Sequence, residues 1–275
     1  MPELPEVETI KNTLKHRVLD KTIESVNVYW PNIIKLPADI DQFKQLLKGQ
    51  TIQGINRKGK FLLYRLTDYV LVSHLRMEGK YSLHKAGDAI EKHTHVIFRF
   101  TDGTELRYKD VRKFGTMHVF KKGEELRHKP LNQLGPDPFT ESFTPDYLFS
   151  KLKRTKRVIK TALLDQTIVA GLGNIYVDET LFKARIHPLT QSNHLTKKDV
   201  NKIYEETRTT LNRAIEQGGT TIRSYVNSQG EIGMFQQELF VYGQVDKPCK
   251  HCGELITKMK VGGRGTHICP NCQKL

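Results

Sequence analysis

Apolar residues at Val7, Ile10, Leu14 and Val18 recur on one face at helical spacing, and Pro5 suits a first helical position, so residues 5–19 read as a helix. From about 22 to 120 the pattern shortens to β-rich runs: Thr22–Trp30, Thr51–Asn56, Phe61–Leu66, Val70–Leu75, Thr94–Phe100, Glu105–Tyr108 and Thr116–Phe120. Turn signals separate them, among them Arg57-Lys58-Gly59-Lys60 and Thr101-Asp102-Gly103-Thr104. One helix interrupts the series, from Asp39 to Lys48, ending at Gly49. Many short strands joined by hairpin turns predict an antiparallel β-sandwich or barrel.

Leu134-Gly135-Pro136-Asp137-Pro138 reads as a linker, after which the period becomes helical. Thr144-Pro145 opens one helix and Asn174–Lys183 forms another. Thr196 with Asp199 resembles a capping box that starts a long helix ending at Gly218-Gly219. Residues 220–237 lack periodicity and read as a loop. The expected organisation is an α+β multidomain chain: a sandwich domain over 1–133 with flanking helices, a helical domain over 134–219, the loop, and a cysteine-bearing segment over 238–275.

Composition adds a partner class. The chain has 275 residues, 37% hydrophobic and 27% charged, which is enough for a sizeable core. Its net charge of +14 favours a polyanion, either nucleic acid or an anionic membrane surface. No run approaches ~18 consecutive apolar residues, so a membrane span is not expected. The acidic, proline-broken start does not look like a signal peptide, and a cytoplasmic protein is expected.

All four cysteines fall between 249 and 272, as Cys249-x2-Cys252 and Cys269-x2-Cys272. Each pair can place two thiolates on one tight turn, and two such turns complete a tetrahedral Zn²⁺ site of the zinc-ribbon kind. Redox-active pairs are the alternative. Four protein ligands leave no open position, so one structural Zn²⁺ is expected. Residues 247–275 carry six Lys or Arg against Glu254 alone, a composition suited to a nucleic-acid backbone. Residues 151–160 are a second basic stretch, six of ten being Lys or Arg. Gly171-Leu172-Gly173-Asn174 then opens a helix whose N-terminus could approach a phosphate. Asn174 could cap that helix or donate to the phosphate itself.

The N-terminus supplies candidate chemistry. After a Met-Pro start the expected mature terminus is Pro2. An α-amino group has a pKa of about 8, against about 10.4 for lysine, so more of it is neutral and nucleophilic at pH 7. A secondary amine attacking a sugar C1′ gives a charged iminium, which favours elimination of a neighbouring phosphate. Glu3 and Glu6 could supply the proton donor and charge stabilisation that glycosidic cleavage needs, or simply favourable helix N-terminal charge.

Taken together, Pro2-Glu3-Leu4-Pro5-Glu6-Val7-Glu8-Thr9, Arg57-Lys58-Gly59-Lys60, His74-Leu75-Arg76-Met77-Glu78-Gly79, Asp110-Val111-Arg112-Lys113-Phe114-Gly115, Gly171–Glu179 and the terminal ribbon closely resemble the bacterial formamidopyrimidine-DNA glycosylases, along essentially the whole chain. The resemblance implies a helix-two-turn-helix DNA-binding domain over 134–219, a catalytic sandwich domain before it and a lesion-capping loop at 220–237. It also implies excision of oxidised purines from double-stranded DNA by a monomeric base-excision-repair enzyme, followed by β,δ-elimination. Pro2 would be the nucleophile and Glu3 the proton donor or shuttle. Lys60 would assist β-elimination and Arg264 δ-elimination, each contacting phosphate. His74, His93, Asn174 and Tyr242 would hold the DNA. Met77, Arg112 and Phe114 would fill the gap left by an extruded nucleotide, where an apolar wedge props a kinked step open. Without the resemblance, Met77 and Phe114 would read as core and Lys60 as a surface lysine. Arg76 departs from the pattern, since many members carry glycine there.

Two other readings compete. The endonuclease VIII branch shares the proline, helical segment and ribbon, but prefers oxidised pyrimidines, typically has glycine where Leu4 sits here and lacks the Met77, Arg112 and Phe114 set. A non-enzymatic zinc-ribbon DNA-binding protein explains the charge and cysteines but leaves the N-terminus unexplained.

Overall fold

A computed structural model describes residues 1–220 and 233–275, so most of the predicted loop 220–237 lies outside the described residues. The chain divides into two compact units. The first comprises Met1–Asn132 and takes in Thr220; the second comprises Gln133–Gly219 and Met234–Leu275.

The first unit runs α1 (Leu4–Val18), β1 (Ile23–Val28), β2 (Ile34–Leu36), α2 (Ile40–Leu47), β3 (Gly54–Lys58), β4 (Phe61–Arg65), β5 (Tyr69–His74), β6 (Lys80–Lys85), β7 (Thr94–Phe100), β8 (Thr104–Lys109) and β9 (Thr116–Lys121). The strands form two sheets, ordered β1-β7-β8-β6 and β2-β9-β5-β4-β3. Every pairing is antiparallel except β2 with β9, which is parallel. Val26, Phe98 and Leu106 from one sheet and Ile55, Leu62, Leu71 and Val119 from the other share one core. The apolar face of α1 joins it through Val7, Ile10, Leu14 and Val18, and the helix packs on β3 and β4. Helix α2 starts where Asp39 accepts the N–H groups of Asp41 and Gln42, at 2.8 and 3.2 Å.

Two strands escape the sequence pattern. β2 has only three residues. β6 is an edge strand with lysine at both ends and only Tyr81 buried, so its apolar alternation is weak.

The second unit runs α3 (Pro145–Lys153), α4 (Ile159–Leu163), α5 (Asn174–Ala184), α6 (Lys197–Glu216), β10 (Thr257–Val261) and β11 (Arg264–Ile268). Thr144 caps α3, and the predicted Thr196–Asp199 box starts α6. Leu134–Pro138 is not a free linker. Gly135 donates its N–H to Gln166 O and Ala170 donates to Pro136 O, so the stretch is built into this unit. Strands β10 and β11 form a hairpin across Gly262-Gly263, both with positive φ, as a two-residue turn of this kind requires. Among the described residues no helix is long and apolar enough to cross a membrane.

Candidate DNA-repair site and zinc centre

Helix α1 begins at Leu4, with Pro5 one position further in and Glu3 as N-cap. Glu6 reaches back, its Oε2 accepting the Glu3 N–H at 2.8 Å, while Oε1 accepts the N–H and hydroxyl of Thr220 at 2.8 and 3.1 Å. Glu3 and Glu6 are both buried, and Pro2 lies buried behind an exposed Met1. The helix start therefore holds two buried carboxylates next to the N-terminal segment, with Glu6 fixing its geometry.

Lys60 follows Gly59 at the tip of the β3–β4 hairpin, where Lys58 pairs with Phe61 and Gly59 takes φ 56°. The tip is clasped to α1. Arg57 Nε donates to Glu8 at 2.7 Å and Arg57 Nη1 donates to Gly59 O at 2.9 Å. Burial alone would raise the Glu8 pKa, but hydrogen bonds from Lys11 and Arg57 more than reverse it, so the carboxylate stays charged. Lys60 is only 6% exposed, which rules out an ordinary surface lysine.

His74 ends β5. The Arg76 N–H donates to its Nδ1 at 2.9 Å, so the neutral ring carries its proton on Nε2. Burial, then the charges of Arg76 and Lys60, lower its pKa to about 3. It is a neutral hydrogen-bond donor at any physiological pH. Beyond it, Met77 is half-buried, whereas Phe114 is 52% exposed with Arg112 stacked on its ring at 4.8 Å. A core role for Phe114 is excluded. The Asp110 carboxylate shapes this turn, accepting the N–H groups of Arg112, Phe114 and Gly115 at 2.8–3.0 Å. Three residues of these turns, Arg76, His93 and Lys113, have φ of 54°, 69° and 57°, a conformation costly for side-chain-bearing residues and concentrated at functional sites.

In the second unit, Asn174 is not the cap of α5; Gly173 is. The Asn174 Nδ2 donates to Gly265 O at 2.9 Å, tying the helix to the ribbon hairpin, and its buried Oδ1 has no partner among the described residues. The basic stretch 151–160 is not uniformly directed to solvent either. Lys160 is fully buried against Asp178, 2.6 Å away, and also donates to Gly265 O at 3.2 Å. Asp178 Oδ2 accepts the His267 N–H at 2.9 Å. The adjacent Glu179, also buried, accepts the N–H groups of Phe240, Val241 and Tyr242 at 2.9 Å. Burial raises the Glu179 pKa, a rise those three donors oppose. The Tyr242 ring rests on His267 at 4.7 Å, and Arg264 is exposed at the head of β11. Asp178 and Glu179 escape a sequence reading because neighbouring acidic residues on a helix ordinarily face water.

The Sγ atoms of Cys249, Cys252, Cys269 and Cys272 all lie within 4.8 Å of one another, with Cys249–Cys272 at 3.9 Å and Cys252–Cys269 at 3.5 Å. Tetrahedral Zn²⁺ with Zn–S of about 2.3 Å needs sulfurs roughly 3.8 Å apart, so the four thiolates fit the ion.

Family comparison decides what these parts make up. The formamidopyrimidine-DNA glycosylase N-terminal domain matches residues 1–117, the H2TH domain of the same glycosylases matches 134–226, and the zinc finger found in FPG and IleRS matches 246–275. The chain belongs to the formamidopyrimidine-DNA glycosylase family. Its four cysteines fall in the zinc-finger segment and are placed to hold one structural zinc ion. Curated formamidopyrimidine-DNA glycosylases of Oceanobacillus iheyensis and Bacillus subtilis are 65% and 60% identical to it, over 99% of this chain and 98% and 99% of theirs. A mutant of Lactococcus lactis FPG, solved in complex with Fapy-dG containing DNA, superposes with a TM-score of 0.94 at 42% identity over the full length of both chains. A complex of the Lactococcus lactis enzyme with abasic-site DNA gives 0.93 at 42% identity, over 99% of this chain and 100% of that one. Arg76 takes a positive φ that glycine adopts without strain, a physical reason for the glycine that the family resemblance implies there.

Proposed function

We propose that the protein is a bifunctional DNA glycosylase and abasic-site lyase of base excision repair, acting on oxidised purines in duplex DNA as a cytoplasmic monomer. Family membership supports the glycosylase assignment. The observation that carries the chemistry is the start of α1, where Pro2 precedes two buried carboxylates, Glu3 and Glu6.

With Met1 removed, the Pro2 nitrogen attacks C1′, and the bond to the damaged base breaks. Glu3 supplies the proton that the departing base or opening sugar ring takes up. The resulting iminium acidifies the C2′ hydrogen. Loss of that proton expels the 3′ phosphate, and a second elimination expels the 5′ phosphate. Water then hydrolyses the remaining sugar fragment from Pro2, leaving a one-nucleotide gap with phosphates at both ends. Lys60 and Arg264 contact phosphates in the first and second eliminations respectively. Glu6 keeps Glu3 in place. His74, through Nε2–H, and His93, Asn174 and Tyr242 hold the DNA. Met77, Arg112 and Phe114 occupy the vacated space, and the segment 220–237 covers the extruded base.

Borohydride reduces an iminium to a stable amine, so incubation with a duplex carrying 8-oxoguanine opposite cytosine plus borohydride should yield a covalent protein–DNA adduct. Pro2→Gly should lose it. A good yield only on oxidised pyrimidines would move the protein to the endonuclease VIII specificity, and binding without any adduct would leave a DNA-binding protein.

A further inference from the structure

Tyr108, near the end of β8, is fully buried, and its hydroxyl is packed closely against two glycines, Gly79 and Gly115. It donates to Asp110 Oδ2 at 3.3 Å. A Cβ on Gly115 would fall 1.7 Å from this oxygen, and a Cβ on Gly79 would fall 2.4 Å from it. The hydroxyl therefore occupies space that any side chain at either glycine would need.

Those two glycines end the turns that carry the proposed gap-filling residues. Gly79 closes the Leu75–Gly79 turn, its N–H donating to Leu75 O at 3.0 Å, and that turn presents Met77. Gly115 closes the Asp110–Gly115 turn, which presents Arg112 and Phe114 and is wound on the Asp110 carboxylate. A third loop joins them: Asp110 N–H donates to His93 O at 3.0 Å, and His95 Nε2 lies 2.8 Å from Asp110 O. Phenylalanine at 108 would fill the same apolar space between the sheets. What the hydroxyl adds is one hydrogen bond, to Asp110, and an atom packed closely against the glycines of two turns far apart in sequence.

We propose that Tyr108 and Asp110 are positioning residues for base extrusion, locking the Met77 turn and the Phe114 turn into one rigid wedge. The inference rests on the gap-filling reading of Met77, Arg112 and Phe114. Extruding a nucleotide from a duplex costs a few kcal/mol in lost stacking and pairing, and the cost is least for a mismatched base. A wedge whose two halves move independently must be ordered in the same step, which weakens the compensation; a preorganised one need not be.

The test compares Tyr108→Phe and Phe114→Ala with the unaltered chain on three duplexes: 8-oxoguanine opposite cytosine, the same lesion in a mismatch, and a preformed abasic site. Tyr108→Phe should slow excision from the paired duplex by about five- to tenfold, the loss expected for one hydrogen bond felt in the rate-limiting step. The mismatched lesion should recover most of that loss. Cleavage at the abasic site, where no damaged base has to leave the stack, should change less than about twofold, a contrast that general unfolding would not produce. Selective loss in both variants upholds the proposal. Selective loss in Phe114→Ala alone overturns the role of Tyr108 and leaves the wedge reading standing. Equal loss on all three duplexes in Tyr108→Phe overturns it in favour of a general structural role. No selective loss in Phe114→Ala removes the wedge reading, and the proposal with it.

Discussion

The Glu6 carboxylate accepts the backbone N–H of Thr220 at 2.8 Å across 214 residues of sequence, while its other oxygen accepts the N–H of Glu3. One buried side chain thus fixes both the residue beside the proposed nucleophile and the start of the segment proposed to cover the base. Glu6→Gln places an NH₂ group against one of these N–H donors. It should cost about 1–3 kcal/mol in urea denaturation, the penalty of an unsatisfied buried donor, and lower the borohydride adduct yield. Thr220→Val keeps the backbone N–H and should do much less. Equal effects from the two would contradict this view of Glu6.

His74 should make stability depend on acid. Its folded pKa of about 3 lies below the ordinary value of 6.5, so the folded state prefers the neutral ring. The contribution is fully present above pH 6.5 and is lost progressively as pH falls toward 3. Denaturation profiles between pH 7.5 and 4 should be steeper for the unaltered chain than for His74→Asn. A steeper profile in the variant would contradict the assignment.

Removing one member of the Lys160–Asp178 pair leaves the other charge buried. Asp178→Ala should therefore destabilise the second unit by about 3–5 kcal/mol, whereas the double replacement Lys160→Met with Asp178→Leu should be far milder. Equilibrium denaturation of the unaltered chain, Lys160→Met, Asp178→Leu and their double variant gives the coupling directly. Additive losses would show that the pair is not coupled.

Zinc removal should act locally first. Cys249 and Cys269 are buried and pack with Phe182, Val241 and Ile256, so a strong chelator should disorder the ribbon and weaken DNA binding. Binding that is unchanged after proven zinc loss would separate the ribbon from recognition.

Much of this was legible in the sequence because the signals are local. The α1 face, the Gly59 hairpin, the Thr196 capping box and the cysteine spacing each reflect a constraint acting over a few residues. What escaped depends on distant partners. Lys160 reads as one more charge in a basic run until Asp178 is seen beside it. Asn174 reads as a cap until Gly265 claims its amide. Exposure is similarly invisible: Phe114 reads as core from residue type alone, yet it stands in solvent on a turn that Asp110 holds.

The neighbouring acids of α5 also set a limit on how this chain can tolerate length changes. Successive helical residues point about 100° apart, so Asp178 and Glu179 serve two different segments only at one rotational phase of the helix. A single-residue insertion between Ile175 and Tyr176 would swing both acids off their partners at once, while a similar insertion at the exposed Gly253-Glu254 bend would disturb neither. Helix α5 works like a key with two teeth, and an insertion scan should find it among the least forgiving parts of the chain.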